Sequence, residues 1–359
     1  MKYYIITGEP SGDLHAANLV SELKKIDDNA SVRAWGGERL IAEGVDLVKH
    51  IKETAFMGLW NVIKNLGAIK SNLHFCKKDL LEYNPDAIIL VDYPGFNLKI
   101  AEFAKKNGIK VFYYISPKVW AWNKRRIFKI KKYVDYLLVI FPFEVEFYKK
   151  YGVEVTYVGN PLLDEIEKKD YSLSYKATKP IIALLAGSRK QEIDKILPIM
   201  LSVVDEFPEY EFVIAATKTF EKDYYNKFIQ NDNVALVFDE TYGLLANSRF
   251  ALVTSGTATL ETALFKVPQV VCYKTNWLTY IIAKSLIKID YLSLVNILMD
   301  KVVVKELIQS ELNKANLRLE LNSIINKKES IIKDYDRLIN LLDKKGASRN
   351  AAQFIKETI

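Results

Sequence analysis

An aspartate stands at the end of an apolar run in the stretch VDYPGFN (91–97). A carboxylate at the end of a buried strand must be solvated, hydrogen-bonded or functional, because an unpaired buried charge is costly. Asp92 is followed by Pro94 and Gly95, which are typical of a turn. We therefore predict that Asp92 is functional, the alternative being a cap for the helix that follows.

The stretch GEPSGD (8–13) follows the short apolar run YYIIT. Its glycines permit a tight turn and the close approach of a ligand. Glu9 and Asp13 make the loop a poor phosphate site and favour a ligand rich in hydroxyl groups. The alternative is a simple turn in which Ser11 or Asp13 caps the next helix.

The later stretch AGSRKQE (186–192) combines glycine, a hydroxyl group and a cation after another apolar run. Gly187 and Ser188 would expose backbone N–H groups at the start of a helix, and Arg189 adds a fixed, forked donor. This combination favours a diphosphate.

A similar pattern recurs in TSGTATLE (254–261). Ser255, Gly256 and Thr257 offer donors to a phosphate, and Glu261 could accept hydrogen bonds from a ribose diol. The alternative is an ordinary capping box, in which Ser or Thr is followed by Glu.

Two stretches mix basic and apolar side chains. Residues 116–135 interleave tryptophans with lysines and arginines, which is typical either of RNA or anionic-lipid binding or of a solvated helix face. Residues 53–73 place large apolar side chains at helical spacing, which fits either a core helix or an interfacial helix. These side chains are Phe56, Leu59, Trp60, Ile63 and Leu66.

The elements that must position these loops alternate along the chain. Apolar runs such as AIILVDY, KVFYYIS and YLLVIF read as buried strands, and amphipathic segments between them read as helices. This alternation predicts an α/β fold with parallel sheets covered on both faces. Ligands bind beyond the carboxyl ends of such strands, where the loops above are expected to lie.

The alternating pattern stops at a polar stretch after Glu165 and then restarts, which predicts two doubly wound, Rossmann-like domains with a cleft between them. We assign residues 1–165 to the first domain, 166–335 to the second, and 336–359 to a C-terminal helix. After Lys305 the sequence reads as helical and charged to its end.

Composition narrows the class of protein. The net charge of +7 among 359 residues is too diffuse to imply nucleic acid, although it favours anionic partners. The two cysteines, Cys76 and Cys272, lack metal-ligand spacing and fit a reduced, cytosolic setting. The phosphate-loop, GxSxG and GxGxxG patterns are missing from the sequence, and its only Asp-x-Asp (334–336) lies in the helical tail.

Taken together, the motifs resemble those of the lipid-A-disaccharide synthases, in the same order and over essentially the whole chain. The shared stretches are GEPSGD, Met57-Gly58, VDYPGFN, SPKVWAWNKRR, FPFE, GSRKQEI, TSGTATLE and DYLSLVN. The chain departs from the family at Ala186 and Val295, where proline is usual, and at Asn160, where histidine is common. None of the three positions carries a proposed catalytic group.

The resemblance implies a GT-B glycosyltransferase that inverts configuration and needs neither a metal ion nor a cofactor. It would join UDP-2,3-diacylglucosamine to 2,3-diacylglucosamine 1-phosphate, giving the lipid A disaccharide and UDP. The first domain would bind the acceptor and the second the nucleotide sugar. The last helix would cross back onto the first domain.

The resemblance also implies roles for individual residues. Asp92 would be the general base, with Glu9 as its rival, and Arg189 would stabilise the departing UDP. Further substrate contacts are expected in both domains, at Ser11, Gly12, Asp13, Asn97, Gly187, Ser188, Ser255, Gly256, Thr257, Glu261 and Asn296.

Membrane contact is a further implication, because the family works at the cytoplasmic face of the Gram-negative inner membrane. Phe56, Met57, Trp60 and Ile63 would contact acyl chains, and the basic run would attract anionic lipid. The chain would therefore be cytoplasmic and peripherally bound, and a homodimer is left open.

Two other classes of function remain open on the sequence. One is a different GT-B-like enzyme acting on a UDP-amino sugar, such as an epimerase or a peptidoglycan glycosyltransferase. The other is a non-catalytic protein that binds a nucleotide or a lipid.

Overall fold

A computed structural model describes residues 1–54, 66–121, 123–167, 171–277, 280–281 and 290–359. The chain divides into two compact units. The first unit comprises Met1–Asp164 and Lys344–Ile359, and the second comprises Glu165–Asp343.

The first unit is built on a seven-stranded parallel sheet with the order β3-β2-β1-β4-β5-β6-β7. Every residue of the fourth strand is buried, which explains why it appears in the sequence as an unbroken apolar run. The strands are β1 (Lys2–Ile6), β2 (Ser31–Gly36), β3 (Asp46–His50), β4 (Ala87–Val91), β5 (Lys110–Tyr114), β6 (Tyr136–Val139) and β7 (Thr156–Tyr157).

Helices cover both faces of this sheet, because successive strand residues point to opposite sides. Tyr3 and Ile5 of β1 belong to one buried cluster, and Tyr4 and Ile6 belong to another. The helices are α1 (Pro10–Ile26), α2 (Glu38–Ala42), α3 (Ile51–Thr54), α4 (Leu66–Tyr83), α5 (Pro94–Lys106), α6 (Arg126–Tyr133) and α7 (Pro142–Lys149). A further helix, α8 (Pro161–Glu167), contains the boundary between the two units.

The second unit repeats the design with a six-stranded parallel sheet in the order β10-β9-β8-β11-β12-β13. Its strands are β8 (Ile181–Leu185), β9 (Glu211–Ala216), β10 (Val234–Phe238), β11 (Ser248–Thr254), β12 (Gln269–Tyr273) and β13 (Lys305–Ile308). Its described α-helices are α9 (Lys190–Leu201), α10 (Lys222–Asn226), α11 (Thr241–Ala246), α12 (Thr257–Leu264), α13 (Leu294–Met299), α14 (Lys314–Asn326) and α15 (Lys328–Leu342).

The strand β13 corrects the expectation that the chain is purely helical after Lys305. Its residues pair in parallel with β12, and Leu307 is buried. This strand lies at the edge of the sheet and contains Lys305 and Glu306, so it lacks the continuous apolar run by which the inner strands are recognised.

The last helix, α16 (Ala347–Thr358), belongs to the first unit and packs on α1. Lys356 forms an ion pair with the buried carboxylate of Asp27 at 3.2 Å. The chain passes from the second unit to the first at residues 343 and 344. The boundary of 336 suggested by the sequence therefore falls within α15, whose buried side chains belong to the second unit.

None of the helices in these described ranges is long and apolar enough to cross a lipid bilayer.

Candidate active site

The two sheets share one arrangement around their first strand. In the first sheet β1 lies between β2 and β4, and in the second sheet β8 lies between β9 and β11. Such a reversal of strand order is the switch point at which open parallel sheets bind ligands. The four loops singled out above, 8–13, 91–97, 186–192 and 254–261, follow β1, β4, β8 and β11. Each sheet therefore brings two of them to its switch point.

The backbone is strained where the first sheet meets these loops. Asp92 and Tyr93 have φ values of 46° and 47°, and Ile115, just after β5, has a φ of 62°. Non-glycine residues rarely adopt this left-handed region, and for the β-branched Ile115 it is a clear outlier. Strain of this kind persists only where the surroundings enforce it, and it clusters at functional sites.

The peptide that follows Asp92 is held by two buried side chains. Its carbonyl oxygen accepts hydrogen bonds from the Asn97 amide nitrogen, at 2.8 Å, and from the Tyr113 hydroxyl group. The Asn97 nitrogen also lies 3.4 Å from the carbonyl oxygen of Ile6, at the end of β1. The Asn97 side chain is fully buried, and its nitrogen ties the end of β1 to the loop after β4. Its predicted contact with the substrate stays a prediction.

The Asp92 carboxylate has a pKa raised to about 6. Burial is the main cause, because it disfavours the charged form, and the negative charge of Glu9 adds to it. Lys118, Arg126 and the N–H group of Tyr93 act in the opposite direction. A carboxylate with this pKa is a stronger proton acceptor than an exposed aspartate and is still largely ionised at neutral pH.

Two glycines let the loop 8–13 pack closely against its surroundings. A side chain at Gly8 would clash with the ring of Tyr93, and one at Gly12 would clash with the Thr7 hydroxyl group. The loops that follow β1 and β4 are therefore in direct contact. Gly12 has a packing role here, in addition to the substrate contact that the sequence predicts for it.

Asp13 has a structural role, and its predicted contact with the substrate stays a prediction. Its buried carboxylate accepts hydrogen bonds from the backbone N–H groups of Gly37 and Arg39, at 2.6 and 3.0 Å. It thereby anchors the start of α2, and both oxygens are occupied. Neither Ser11 nor Asp13 caps α1. Ser11 is exposed and Glu9 is partly exposed, so these two side chains remain accessible to a ligand.

In the second unit, Gly187 and Arg189 lead into α9. Gly187 has a φ of 103°, and a side chain there would clash with Glu192. Arg189 precedes the helix, with its guanidinium 3.3 Å from the Glu192 carboxylate. That ion pair is exposed to solvent and therefore weak, so an anionic ligand can compete for the guanidinium. Ser188 is exposed beside it.

The loop after β11 also has a glycine just before a helix. Gly256 precedes α12 with φ 156° and ψ −159°, a conformation essentially restricted to glycine. A side chain added at Gly256 would meet nothing within 4 Å, so the space beside this backbone is open. Thr257 is exposed, and the Ser255 hydroxyl lies 3.4 Å from the carbonyl oxygen of Leu292.

Glu261 does not close a capping box, because the start of α12 has no side-chain cap. Its carboxylate instead accepts a hydrogen bond from the Tyr242 hydroxyl at 3.1 Å. Burial raises the pKa of Glu261, and this hydrogen bond opposes the shift. Tyr171 and Phe265 pack with Tyr242 at centroid distances of 6.1 and 5.4 Å and enclose the pair on that side.

Asn296 is held by hydrogen bonds within its own unit. Its amide nitrogen donates to the Val304 carbonyl and the Glu306 carboxylate at 2.8 and 2.9 Å. Its oxygen accepts from the N–H groups of Val303 and Val304. The side chain is buried and uses these bonds to fix the loop before β13. Its predicted contact with the donor stays a prediction.

The predicted lipid-contacting residues Phe56, Met57, Trp60 and Ile63 lie outside the described residues, as does Trp122. In the basic run, Trp120 is buried against Phe143 at a centroid distance of 5.2 Å. Phe128 of α6, in contrast, is 69% exposed. The exposed basic residues near it in the sequence are Lys124, Arg125, Lys129, Lys131 and Lys132.

The sequence does not identify Tyr113, Tyr242 or Glu144 as site residues. Glu144, in FPFE, is buried, accepts N–H groups of Ile140 and Phe141 at the start of α7, and has a pKa raised by burial to about 7. The only available signal for Tyr113 is a hydroxyl group in a run expected to be fully buried, since that group needs a partner.

In the described residues, no group of three His, Cys, Asp or Glu side chains could hold a metal ion.

The sequence model of the family described as lipid-A-disaccharide synthetase matches residues 3–358. The lipid-A-disaccharide synthase of Syntrophus aciditrophicus (strain SB) is 39% identical, over 97% of this chain and 95% of that protein. Lipid-A-disaccharide synthase 1 of Legionella pneumophila (strain Lens) is 37% identical, over 97% and 93%.

Solved structures with the same fold include the glycotransferase of kitacinnamycin, with a TM-score of 0.69 and 12% identity over 99% of this chain and 98% of that one. The UDP-GlcNAc 2-epimerase of Neisseria meningitidis, bound to UDP-GlcNAc, has a TM-score of 0.63 and 15% identity over 100% and 99%. At this identity the similarity shows the fold alone. It confirms the predicted α/β, GT-B class with two Rossmann-like sheets.

Proposed function

Because the chain belongs to the lipid-A-disaccharide synthetase family, we propose that it joins UDP-2,3-diacylglucosamine to 2,3-diacylglucosamine 1-phosphate. The products are the lipid A disaccharide 1-phosphate and UDP. The observation that carries the chemistry is Asp92, a carboxylate in a strained loop at the switch point of the first sheet, with a pKa of about 6.

The transfer needs one group that accepts a proton from the acceptor. The 6-hydroxyl oxygen of the acceptor attacks C1 of the donor glucosamine while its proton passes to the Asp92 carboxylate. The bond between C1 and the diphosphate oxygen breaks, and its electron pair leaves with UDP. Attack from the side opposite the leaving group inverts C1. Glu9 favours the protonated product state of Asp92 through its charge, and it is the alternative base.

We assign the binding of the UDP leaving group to the loops of the second unit. UDP gains negative charge as the bond breaks, so donors that strengthen in the transition state accelerate the reaction. These donors are the Arg189 guanidinium and the backbone N–H groups at the starts of α9 and α12. We assign stabilisation of the leaving group to them rather than to a metal ion, and the ribose diol to the carboxylate of Glu261.

Membrane contact is part of the proposal, because both substrates carry acyl chains. The exposed Phe128, with Lys129, Lys131 and Lys132 exposed on the same helix, supports a peripheral contact with anionic lipid at the cytoplasmic face of the inner membrane.

A product assay tests the function. Purified protein is mixed with both diacylated substrates, and mass spectrometry detects the disaccharide while a coupled assay detects UDP. Asp92→Asn should abolish most turnover, whereas Asp28→Asn, at an exposed aspartate, should not. Excess EDTA should leave activity intact. Absence of disaccharide from the parent protein, or epimerisation of the donor without transfer, would overturn the proposal.

A further inference from the structure

An open cavity of about 460 Å³ lies at the amino-terminal edge of the second sheet. It is lined by Pro180 and Ile181 where β8 begins, by Tyr210 just before β9, and by residues 246–249 where β11 begins. The loops assigned to UDP leave these strands at their other ends, and the five residues of β8 span about 16 Å. The cavity is therefore separate from the proposed donor site. Its volume is usual for ligand sites, which measure roughly 300–1,000 Å³.

A β-bulge brings Arg249 to this cavity. Ser248 of β11 pairs with Ile181 of β8, and Phe250 pairs with the next residue, Ile182, so Arg249 is an extra residue without a partner in the ladder. Such bulges are rare between parallel strands, and they redirect a side chain, often beside a functional site. Here Phe250 remains buried in the sheet, whereas Arg249 is exposed and lines the cavity.

A second cation, Lys328, lies near Arg249. It is the first residue of α15, a helix tied to the same edge of the sheet because the Gln269 amide nitrogen at the start of β12 donates to the Tyr335 hydroxyl at 3.3 Å. Burial lowers the pKa of Lys328, and the charge of Arg249 lowers it further, while Glu329 opposes both effects. Among the residues that the structure describes, neither cation forms an ion pair or a hydrogen bond. An anion bound by both would relieve their repulsion.

Tyr210 gives the cavity an aromatic wall and a hydroxyl donor. Its ring packs edge-on against Phe250 with the centroids 5.9 Å apart, which fixes its position. Burial raises the pKa of Tyr210, as does the charge of Glu209, while Arg249 opposes the shift, so the hydroxyl keeps its proton at neutral pH. The cavity thus combines a guanidinium group, a hydroxyl donor and an apolar surface.

We propose that this cavity binds a soluble phosphate monoester that carries a ring, with the phosphate on Arg249 and Lys328 and the ring against Tyr210. A guanidinium binds two phosphate oxygens with its fork, and an ammonium adds a mobile point charge. A phosphate monoester carries nearly two negative charges at neutral pH and so can neutralise both cations, which a single carboxylate cannot. Binding would leave the UDP loops free, because they lie at the opposite edge of the sheet.

Calorimetry with inorganic phosphate, phenyl phosphate and phenol tests the site. We expect phenyl phosphate to bind the parent about 3–10-fold more tightly than inorganic phosphate, because its ring covers apolar surface, and phenol to show no detectable binding. Arg249→Gln should weaken both phosphate probes about 10-fold or more, and Lys328→Gln about 3-fold or more, since each loses a charge-assisted contact. Arg337→Gln, also in α15, is the matched control and should leave binding unchanged, because its guanidinium is already paired with Asp334 at 3.0 Å.

Phosphate could also bind at the loop of Arg189, so each titration is repeated with Arg189→Ala. Binding that survives in Arg189→Ala and is weakened by Arg249→Gln supports the cavity. Binding that is lost in Arg189→Ala and unchanged in Arg249→Gln would assign the phosphate to the donor loops and overturn the proposal. An equal loss in Arg337→Gln would indicate a general effect of net charge and would also overturn it.

Flotation with vesicles that contain phosphatidic acid separates a soluble ligand from a lipid headgroup. If the soluble probes do not bind the parent, the proposal is wrong, and vesicle binding that Arg249→Gln reduces would then assign the cations to lipid. None of these measurements uses glycosyl transfer. A parent that makes no disaccharide but binds phenyl phosphate through Arg249 would therefore lose the proposed function and keep this site.

Discussion

The hydroxyl group of Tyr113 donates a hydrogen bond to the backbone carbonyl oxygen of Asp92, across the neighbouring strands β5 and β4. Burial raises the pKa of Tyr113 well above its ordinary value, so this hydroxyl remains a donor throughout the physiological range. The bond fixes the peptide at the point where the backbone takes its left-handed conformation. A residue inside the sheet thus helps to set the direction of the proposed base.

We expect Tyr113→Phe to lower kcat about 5-fold with little change in UDP affinity, because one hydrogen bond of about 1 kcal/mol is lost from the Asp92 peptide. The bond from Asn97 remains and limits the loss. Steady-state kinetics and calorimetry measure the two quantities. Tyr148→Phe is the control, since it removes a buried hydroxyl that is bonded to Ser116 instead. An equal loss in both variants would indicate a general weakening of the core.

The acid side of the pH–rate profile should report the Asp92 carboxylate. We expect kcat/KM of the parent to rise with pH through about 6, as the base becomes ionised. Glu9→Gln removes a charge that raises this pKa, so the acid limb should move to lower pH. Asp92→Asn should slow turnover about 10²–10⁴-fold at all pH values. If Asp92→Asn stays within a few-fold of the parent while Glu9→Gln is inert, Glu9 is the base.

The ionised Asp92 carboxylate should lower the free energy of unfolding at neutral pH. Its pKa is 3.8 when exposed and about 6 in the folded chain, so the folded state binds more protons between these values. The free energy of unfolding therefore falls as pH rises from about 4 to about 6, and stays lower above that. Asp92→Asn removes this term, and asparagine tolerates the left-handed conformation. We expect it to be more stable by up to about 3 kcal/mol at pH 7 and nearly equal to the parent near pH 4, as measured by thermal unfolding. A less stable variant at pH 7 would contradict the assigned burial cost.

Much of the fold was predictable because the inner strands of both sheets are continuous apolar runs. The parallel order of such strands follows from the helices between them. The edge strand β13 was missed because Lys305 and Glu306 interrupt its apolar pattern. The sequence of this strand alone does not show that it pairs with β12 and that Leu307 is buried in the sheet.

The site was predictable at the level of loops but not of every side chain. Asp92 and Arg189 lie at the switch points, as the positions of their loops after strands suggest. Asp13, Asn97 and Asn296 have the same residue types as ligand contacts, yet they satisfy backbone groups of their own unit. A carboxylate or amide that stabilises a loop cannot be told from one that binds a ligand by sequence alone, because the difference depends on which groups the fold brings near it.

Substitutions of Arg189 and Glu261 test whether the loops 186–192 and 254–261 bind the donor. Arg189→Ala should lower kcat about 10–100-fold, because it removes a charge-assisted bond that strengthens as UDP leaves. Glu261→Gln keeps an acceptor for the Tyr242 hydroxyl but loses its charge, so UDP affinity should fall several-fold with little change in kcat. Tyr242→Phe is the control for that internal bond. Normal UDP binding by calorimetry and normal turnover in both site variants would move the donor site away from these loops.

The exposed surface of α6 gives the clearest test of membrane contact among the described residues. Phe128→Ser should reduce binding to vesicles that contain anionic phospholipid, because the ring is the apolar anchor among several cations. Added salt should weaken the part of vesicle binding that comes from the cations, because it screens their attraction to anionic lipid. The part that comes from the Phe128 ring should depend less on salt. Since Phe128 is 69% exposed, the variant should fold normally by circular dichroism. Leu319→Ser, at a similarly exposed position (60%) on α14, is the matched control and should float with vesicles like the parent. Equal flotation of the Phe128 variant and the parent would remove α6 from the membrane-contacting surface.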